Sequence, residues 1–381
     1  MNHDLLMSTA KDLIYLLSCA VHETAPDPQR CASMDLPSVY RLAEEHMLSA
    51  AAAFALERTI TLPENWQAAK GNAIRKQIIY HAERKKVFQM LEENKIWYLP
   101  LKGIVLKDCY PKPAMREMSD NDVLFDISKG NIVKKCMQDL GYTCTEFFKT
   151  DHGHDVYQKP PCVVFEMHRS LVNRQAFPVI FEYYQNKTDL RKKDTGSSYA
   201  CHMSDEDFYV YLICHIYKHY SGSGTGLRSL LDIYVYCHRH HSQPDWPYID
   251  ATLAALGLKE YADGARSLAK KIFSGQDLSE QEYKELCYYV ESRAYGQFKH
   301  SIEKKIAKND GRFLKSKYIL RRIFPTKDSL QLYHPFVYRH MFLYPVMLIY
   351  RPIQGLIRHP KKLKKEFAVI RRFQKDADDE K

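Results

Sequence analysis

Along the first 95 residues apolar side chains recur at three- and four-residue spacing. Leu5, Leu6, Leu13, Leu16 and Leu17 mark one helical face, and the Ala50 to Arg58 stretch is rich in the strongest helix former. Pro26, Pro28 and Pro37 punctuate the loop between the first helices. A long helix from about Pro63 to Glu93 carries Ile74, Ile78, Ile79, Phe88 and Leu91 among many charges, a pattern expected of an amphipathic helix covering the next region of the chain. The texture changes at Ile96. Ile96 to Leu101 has strand composition, Lys102-Gly103 punctuates it, and Gly103 to Tyr110 is expected to form a short helix ended by Pro111 and Pro113. Asn121 to Phe125 is a second strand, Ser128 is expected to cap a helix through Leu140, and Gly141 stops it. Tyr142 to Phe148, Asp155 to Lys159 and Val163 to Met167 are further short strands. The order of elements predicts an α+β protein: a small mixed sheet with helical regions on both sides.

Helical spacing returns at Ser204-Asp205-Glu206-Asp207, a cap followed by acidic first-turn residues, and continues through Phe208 to Tyr220. The loop Ser221 to Gly226 lacks phosphate-loop spacing and connects to a helix over Leu227 to His238, with more helix to about Ser274. The expected organisation is therefore a helical region over 1–95, a mixed core over 96–200, a helical domain over 201–275 and a basic, aromatic region over 276–381. No internal repeat is present.

Charge changes this picture only at the end of the chain. The net charge is +10, but from Ser301 onward there are 20 Lys and Arg against 8 Asp and Glu, so the preceding 300 residues are slightly acidic. Such a tail is expected either to contact phosphate, on nucleic acid or on an anionic membrane, or to be a solvated basic face. Tyr338 to Ile357 is apolar and aromatic, yet Pro345 and Pro352 argue against one continuous interfacial helix. No run reaches the ~20 apolar residues of a membrane span. The start Met1-Asn2-His3-Asp4 has no basic secretory leader, so the expected location is the cytoplasm, with peripheral membrane contact through the tail. Ten cysteines show neither C-x-x-C pairs nor regular spacing, and are expected to be mostly reduced, buried thiols.

Chemistry concentrates in two short runs. Asp120 and Asp122, two apart in an extended segment, point to one face. Paired carboxylates repel, and Mg²⁺, with Mn²⁺ as the alternative, is the usual compensation for oxygen ligands. Glu166 interrupts the apolar run Val163-Val164-Phe165-Glu166-Met167-His168, where an unpaired charge is costly, so a partner is expected. Three carboxylates around two metals would suit in-line displacement at a triphosphate. Arg116 is expected either to meet phosphate or to form a structural ion pair. His168 shares the face of Glu166 and would orient it or hold a structural hydrogen bond. Arg228 and Asp232, four apart, are expected to pair along their helix. His215 and His219 have metalloprotease spacing, but Ile216 stands where the general base would be, which excludes that chemistry.

Leu101-Lys102-Gly103, Tyr110-Pro111 with Arg116 and Ser119-Asp120-Asn121-Asp122, Phe165-Glu166-Met167-His168, and Leu227-Arg228-Ser229-Leu230-Leu231-Asp232-Ile233 follow one another in an order that resembles the DNA polymerase beta superfamily of nucleotidyltransferases. Within it the chain resembles a widespread, largely uncharacterised bacterial group over about Leu91 to Ser274. The resemblance implies that Asp120, Asp122 and Glu166 hold the metals and act in catalysis, and that Lys102, Gly103, Arg116, Ser119 and Arg228 contact the nucleotide. It implies transfer of a nucleoside monophosphate from an NTP to an acceptor that the residues do not name: a small molecule, saccharide, peptide or RNA. The superfamily's Gly-Ser or Gly-Gly turn reads Lys102-Gly103-Ile104 here, which removes a hydroxyl from the phosphate grip. That departure keeps a rival open: a non-catalytic module whose basic tail binds nucleic acid or membrane.

Overall fold

The computed structural model describes residues 3–148, 153–174, 176–239, 244–294, 324, 330 and 335–348. One compact unit comprises residues 1–218 and 225–294; a second comprises 219–224 and 295–381. In the first unit, α1 (His3–His22), α2 (Pro28–Ser33), α3 (Leu36–Glu45) and α4 (Ser49–Leu56) precede the long α5 (Glu64–Glu93). Every side chain of α4 is buried, which its Ala-rich sequence allows because neighbouring backbones can approach closely.

The helix α5 keeps part of its expected face, with Leu91 buried and Ile79 and Phe88 packed against the core, and departs from it at two positions. Ile74 and Ile78 are 36% and 65% exposed, while Tyr80, Arg84, Val87 and Leu91 form the buried stripe at i, i+4, i+7 and i+11. Polar anchors select this face. Tyr80 Oη donates to the carbonyls of Ser119 (2.7 Å) and Cys162 (3.0 Å). Glu83 accepts from Tyr142 Oη (2.8 Å) and Lys159 Nζ (2.8 Å), and Arg84 Nη1 donates to Asn121 Oδ1 (2.8 Å). Apolar spacing alone does not reveal a helix docked through hydrogen bonds.

Strand β1 (Tyr98–Pro100) leads into the short α6 (Gly103–Leu106), followed by 3-10 turns to Met115 and then β2 (Asn121–Phe125). The helix α7 (Gly130–Asp139) comes next, preceded by a turn that Asp126 caps, its carboxylate accepting from Ser128 N–H (3.0 Å) and Oγ–H (2.7 Å). Ser128 is thus the donor and not the expected cap. Then come β3 (Thr143–Glu146), β4 (His154–Lys159) and β5 (Val163–His168). The five strands lie in the order β1-β2-β5-β4-β3; β2 and β5 are parallel and the other neighbours antiparallel. The α+β expectation holds, and all five expected strands exist within a few residues of their anticipated bounds.

Alternation along the strands makes two different faces. Val123, Phe125, Phe165, Met167 and Tyr157 point to one side and join residues of α5 and α7 in a continuous core. Asp122, Glu166 and His168 occupy the intervening positions and point to the other side. Beyond the sheet lie α8 (Pro178–Asn186) and a two-stranded pair, β6 (Lys192–Lys193) with β7 (Cys201–His202), none of them expected. The helices α9 (Asp205–Tyr220), α10 (Leu227–Arg239), α11 (Trp246–Ala255), α12 (Lys259–Phe273) and α13 (Glu280–Ser292) complete the unit. Tyr209 of α9 stacks on Tyr236 of α10 at 5.9 Å between ring centroids.

All ten cysteines are free; five are buried and Cys162 is exposed. Among the described residues of the second unit, α14 (Pro335–Arg339) is followed by a 3-10 turn at Met341–Leu343, so the helix has broken before Pro345 is reached. No helix among the described residues is long and apolar enough to cross a membrane. The lysine- and arginine-rich part of the tail lies outside the described residues.

Candidate functional site

The parallel pairing of β2 with β5 sets Asp122 directly opposite Glu166, and the antiparallel pairing of β5 with β4 sets His168 opposite His154. Cross-strand partners on one face lie side by side. His168 Nε2 is 2.8 Å from Asp122 Oδ1 and 3.5 Å from Glu166 Oε2, and His154 Nε2 is 3.5 Å from Glu166 Oε1. His168 therefore bridges both carboxylates.

Lys102 enters this group from the turn after β1. Its backbone sits at φ 46°, ψ −117°, an unfavourable conformation for a residue with a side chain, just ahead of α6. Its ammonium lies 2.6 Å from Asp122 Oδ1 and 3.9 Å from Glu166 Oε2. Burial opposes charge at both members of the Lys102–Asp122 pair, but their mutual attraction outweighs it. The lysine is held above its usual range, and the aspartate below its own with help from His168. Burial also works against the charge on Glu166, yet hydrogen bonding to His168 keeps its carboxyl below the usual range.

Asp120 lies one residue before β2 and fares differently. It has no ion-pair partner among the described residues, and burial together with the neighbouring Asp122 charge pushes its carboxyl up to about 6. Two aspartates two residues apart are thus electrostatically unlike: one is neutralised from within the protein and the other is left wanting a cation. His154 is pulled down to about 4 by burial, so its imidazole is neutral near pH 7.

Arg116 resolves to the ion pair. Nε and Nη2 donate to the two carboxylate oxygens of Asp232, each at 2.9 Å, and Tyr110 Oη donates to Asp232 Oδ1 at 2.7 Å. This occupies Asp232, so the expected intrahelical pair with Arg228 does not form. Arg228 Nη1 instead contacts Met47 Sδ (2.9 Å) and the Glu117 carbonyl (3.5 Å). Gly103 is required by this arrangement, because a Cβ there would come within 2.6 Å of Arg116 Nη1 and 3.1 Å of Met118 Cε. The arginine is a strut beneath the glycine turn. Ser119 is half-buried beside Asp120, and its carbonyl is held by Tyr80.

Oxygen donors from Asp120, Asp122 and Glu166 suit Mg²⁺. His154, Glu166 and His168 also bring ligand atoms within 4.8 Å of one another, a set whose nitrogens would suit Zn²⁺ better than Mg²⁺ or Mn²⁺. A family model described as uncharacterised nucleotidyltransferase matches residues 32–274. The chain belongs to that family. The match covers α3 through α12 and so includes every residue of the site. An antigenic nucleotidyltransferase-like protein from Paracoccidioides brasiliensis, known from a crystal structure, is similar at 16% identity over 51% of this chain and 92% of that one, with a TM-score of 0.33. No curated protein matches the chain.

Three residues of this nucleotidyltransferase-family site carry no motif. His154 is placed by the register of the β4–β5 hairpin, which can be counted along the sequence outward from the Pro160-Pro161 turn: Lys159 pairs with Val163, and His154 then falls opposite His168. Tyr211 and Lys218 lie seven apart on one face of α9. Tyr211 is buried, and its hydroxyl has no hydrogen-bond partner among the described residues. Burial, then the carboxylates of Asp122 and Glu166, raise its pKa against the opposing influence of Lys102, which places it beside the cluster. Burial and the charge on Lys102 lower that of Lys218.

Proposed function

We propose that the chain is a divalent-metal-dependent nucleotidyltransferase that moves a nucleoside monophosphate from an NTP to an acceptor oxygen and releases pyrophosphate. The observation that carries this reading is the facing pair Asp122–Glu166 on parallel strands, with the unpaired Asp120 one step away. Asp120, Asp122 and Glu166 would hold Mg²⁺ or Mn²⁺, which would supply charge neutralisation for the triphosphate. In the transfer, the acceptor oxygen bonds to the α-phosphorus as the bond to the bridging oxygen of pyrophosphate breaks. The proton of a hydroxyl acceptor passes to Glu166 and from there to solvent.

Lys102 has the charge and reach to turn from Asp122 toward a phosphate oxygen, standing in for the hydroxyl that its turn lacks. Gly103 lets the backbone come close to phosphate. Arg116 acts through Asp232 by fixing the turn and the loop before Asp120, and Ser119 and Arg228 lie within that same loop's surroundings. The Tyr211 hydroxyl is available to donate to a bound phosphoryl oxygen.

Calorimetric titration of each NTP, with and without Mg²⁺, into the wild type and Asp120→Asn tests this. Binding that needs both the metal and the Asp120 carboxylate is expected, and it also names the preferred base. Absence of NTP binding by a folded wild type would overturn the reading in favour of a non-catalytic module. Asp120 is the position to change, since Asp122 is bonded to both Lys102 and His168 and its removal would disturb the fold.

A further inference from the structure

On the opposite side of the sheet a cavity of about 1250 Å³ lies between α5, β1 and the turn of α6, lined by residues including Arg84, Lys85, Phe88, Tyr98, Ile104 and Val105. Its depth holds an anomaly. Arg84 is only 4% exposed, yet among the described residues no carboxylate comes within ion-pair distance of it. Its partner is neutral, the side-chain oxygen of Asn121 at 2.8 Å. A guanidinium has five N–H donors, and burial of a charge without a counter-charge is costly. Burial accordingly draws its pKa below the ordinary arginine value, with only partial relief from Asp108 across the cavity, which is itself exposed and paired with Lys107.

The surroundings say what would complete the pair. Lys85 and His81 flank Arg84 on α5 and make one end of the cavity basic. Glu92 and Glu93 also line it, but eight or nine residues further along the helix, about 12 Å away at ~1.5 Å per residue. Glu92 is already engaged by Ala200 N–H at 3.1 Å and by Ser197. Between the two ends Phe88, Tyr98, Ile104 and Val105 provide an aromatic and aliphatic wall, the usual lining of a small-molecule site with a few polar anchors.

We propose that this cavity is a second binding site, separate from the carboxylate cluster, for a small molecule that carries an oxyanion on an aromatic or apolar body. The oxyanion pairs with Arg84 through the guanidinium fork and the body lies against Phe88 and Tyr98. Arg84 holds Asn121, the residue between Asp120 and Asp122, so occupancy reaches the backbone of the catalytic run from behind.

The test uses phenyl phosphate and benzoate as probes, titrated calorimetrically into the full chain in EDTA without nucleotide, which silences the metal-dependent site. At least one probe is expected to bind the wild type and Asp120→Asn equally. Binding should weaken at least tenfold in Arg84→Met and in Val105→Trp, which fills the cavity while keeping the arginine. If Arg84→Met does not fold, Val105→Trp decides alone. Failure of both probes to bind the wild type, or undiminished binding by Val105→Trp, overturns the proposal and leaves the nucleotidyltransferase reading untouched.

Discussion

The two faces of the five-stranded sheet are built from alternate residues of the same strands, and they obey opposite rules. On the α5 side Val123, Phe125, Phe165, Met167 and Tyr157 are almost completely excluded from solvent and form a uniform apolar layer. On the other side Asp122, Glu166, His168 and His154 crowd against Lys102, and each charge depends on a neighbour. The strand side chains of the first face are closed by packing against α5 and α7. The second is closed only in part: Asp122 is neutralised within the protein, and Asp120 is not. The contrast marks the second face as the place where a cation would find an uncompensated carboxylate.

The largest effect should come from the packed face. Phe165→Ala is expected to cost about 3–5 kcal/mol in denaturant unfolding, with the folded fraction still binding NTP; a loss under 1 kcal/mol would mean that the core is not organised around this ring. Asp120→Asn probes the other face. It should weaken Mg²⁺-dependent NTP binding about hundredfold, on the order of 2.7 kcal/mol, without lowering the melting temperature, since no ion pair is broken. A marked fall in melting temperature would show that Asp120 has a structural partner instead.

Glu83→Gln tests the polar anchor that joins α5 to the packed face, and should cost about 2 kcal/mol at neutral pH. Although burial opposes it, the bonds from Lys159, Lys86 and Tyr142 hold the Glu83 carboxyl down at about 2. Its contribution is therefore present above the unfolded carboxylate value of about 4.3 and is lost as pH falls from there through about 2. The wild type should lose this much more stability than the variant across that window, and parallel acid-unfolding curves would refute the assignment. The smallest effect is expected from Tyr211→Phe: severalfold weaker NTP binding, about 1 kcal/mol, with unfolding unchanged or slightly improved, because a buried hydroxyl lacking a partner contributes nothing to the free protein. Equal NTP affinity would remove Tyr211 from the site.

Most strands and the long helices were legible because their signals are local: alternation in Val163 to Met167, helical spacing and caps at Ser204, a glycine turn at Gly103. The carboxylates were legible for the same reason, since a charge inside an apolar run is visible in one dimension. What escaped depends on pairings distant in the chain. The buried face of α5 is chosen by Tyr80, Glu83 and Arg84 meeting partners that lie beyond residue 118, so Ile74 and Ile78 are left exposed while Ile79, Phe88 and Leu91 pack as expected. Arg228 and Asp232 had ideal helical spacing, yet Asp232 found a better-matched bidentate partner in Arg116. His154 required a hairpin register, and Tyr211 gave no signal, because a tyrosine on a helix full of tyrosines looks like core.

The fork of Arg116 and Tyr110 on Asp232 has a consequence for how the chain reaches its working state. The partners are 116 and 122 residues apart, and contacts so remote close late, after local helices and hairpins have formed. The sheet can assemble from residues 98–168. Glu117, which accepts from Ser49 and Ala50, and Gln77, which donates to the Pro113 carbonyl, tie the loop from Tyr110 to Met118 to α4 and α5. Arg116 and Tyr110, however, have no carboxylate to grip until α10 arrives. A fragment ending at residue 200 would thus hold the full set of carboxylates on its strands and still lack the brace that fixes the turn beside them. The brace is in this sense a late addition to the cluster's surroundings, and it comes from a helix that contributes no carboxylate to it.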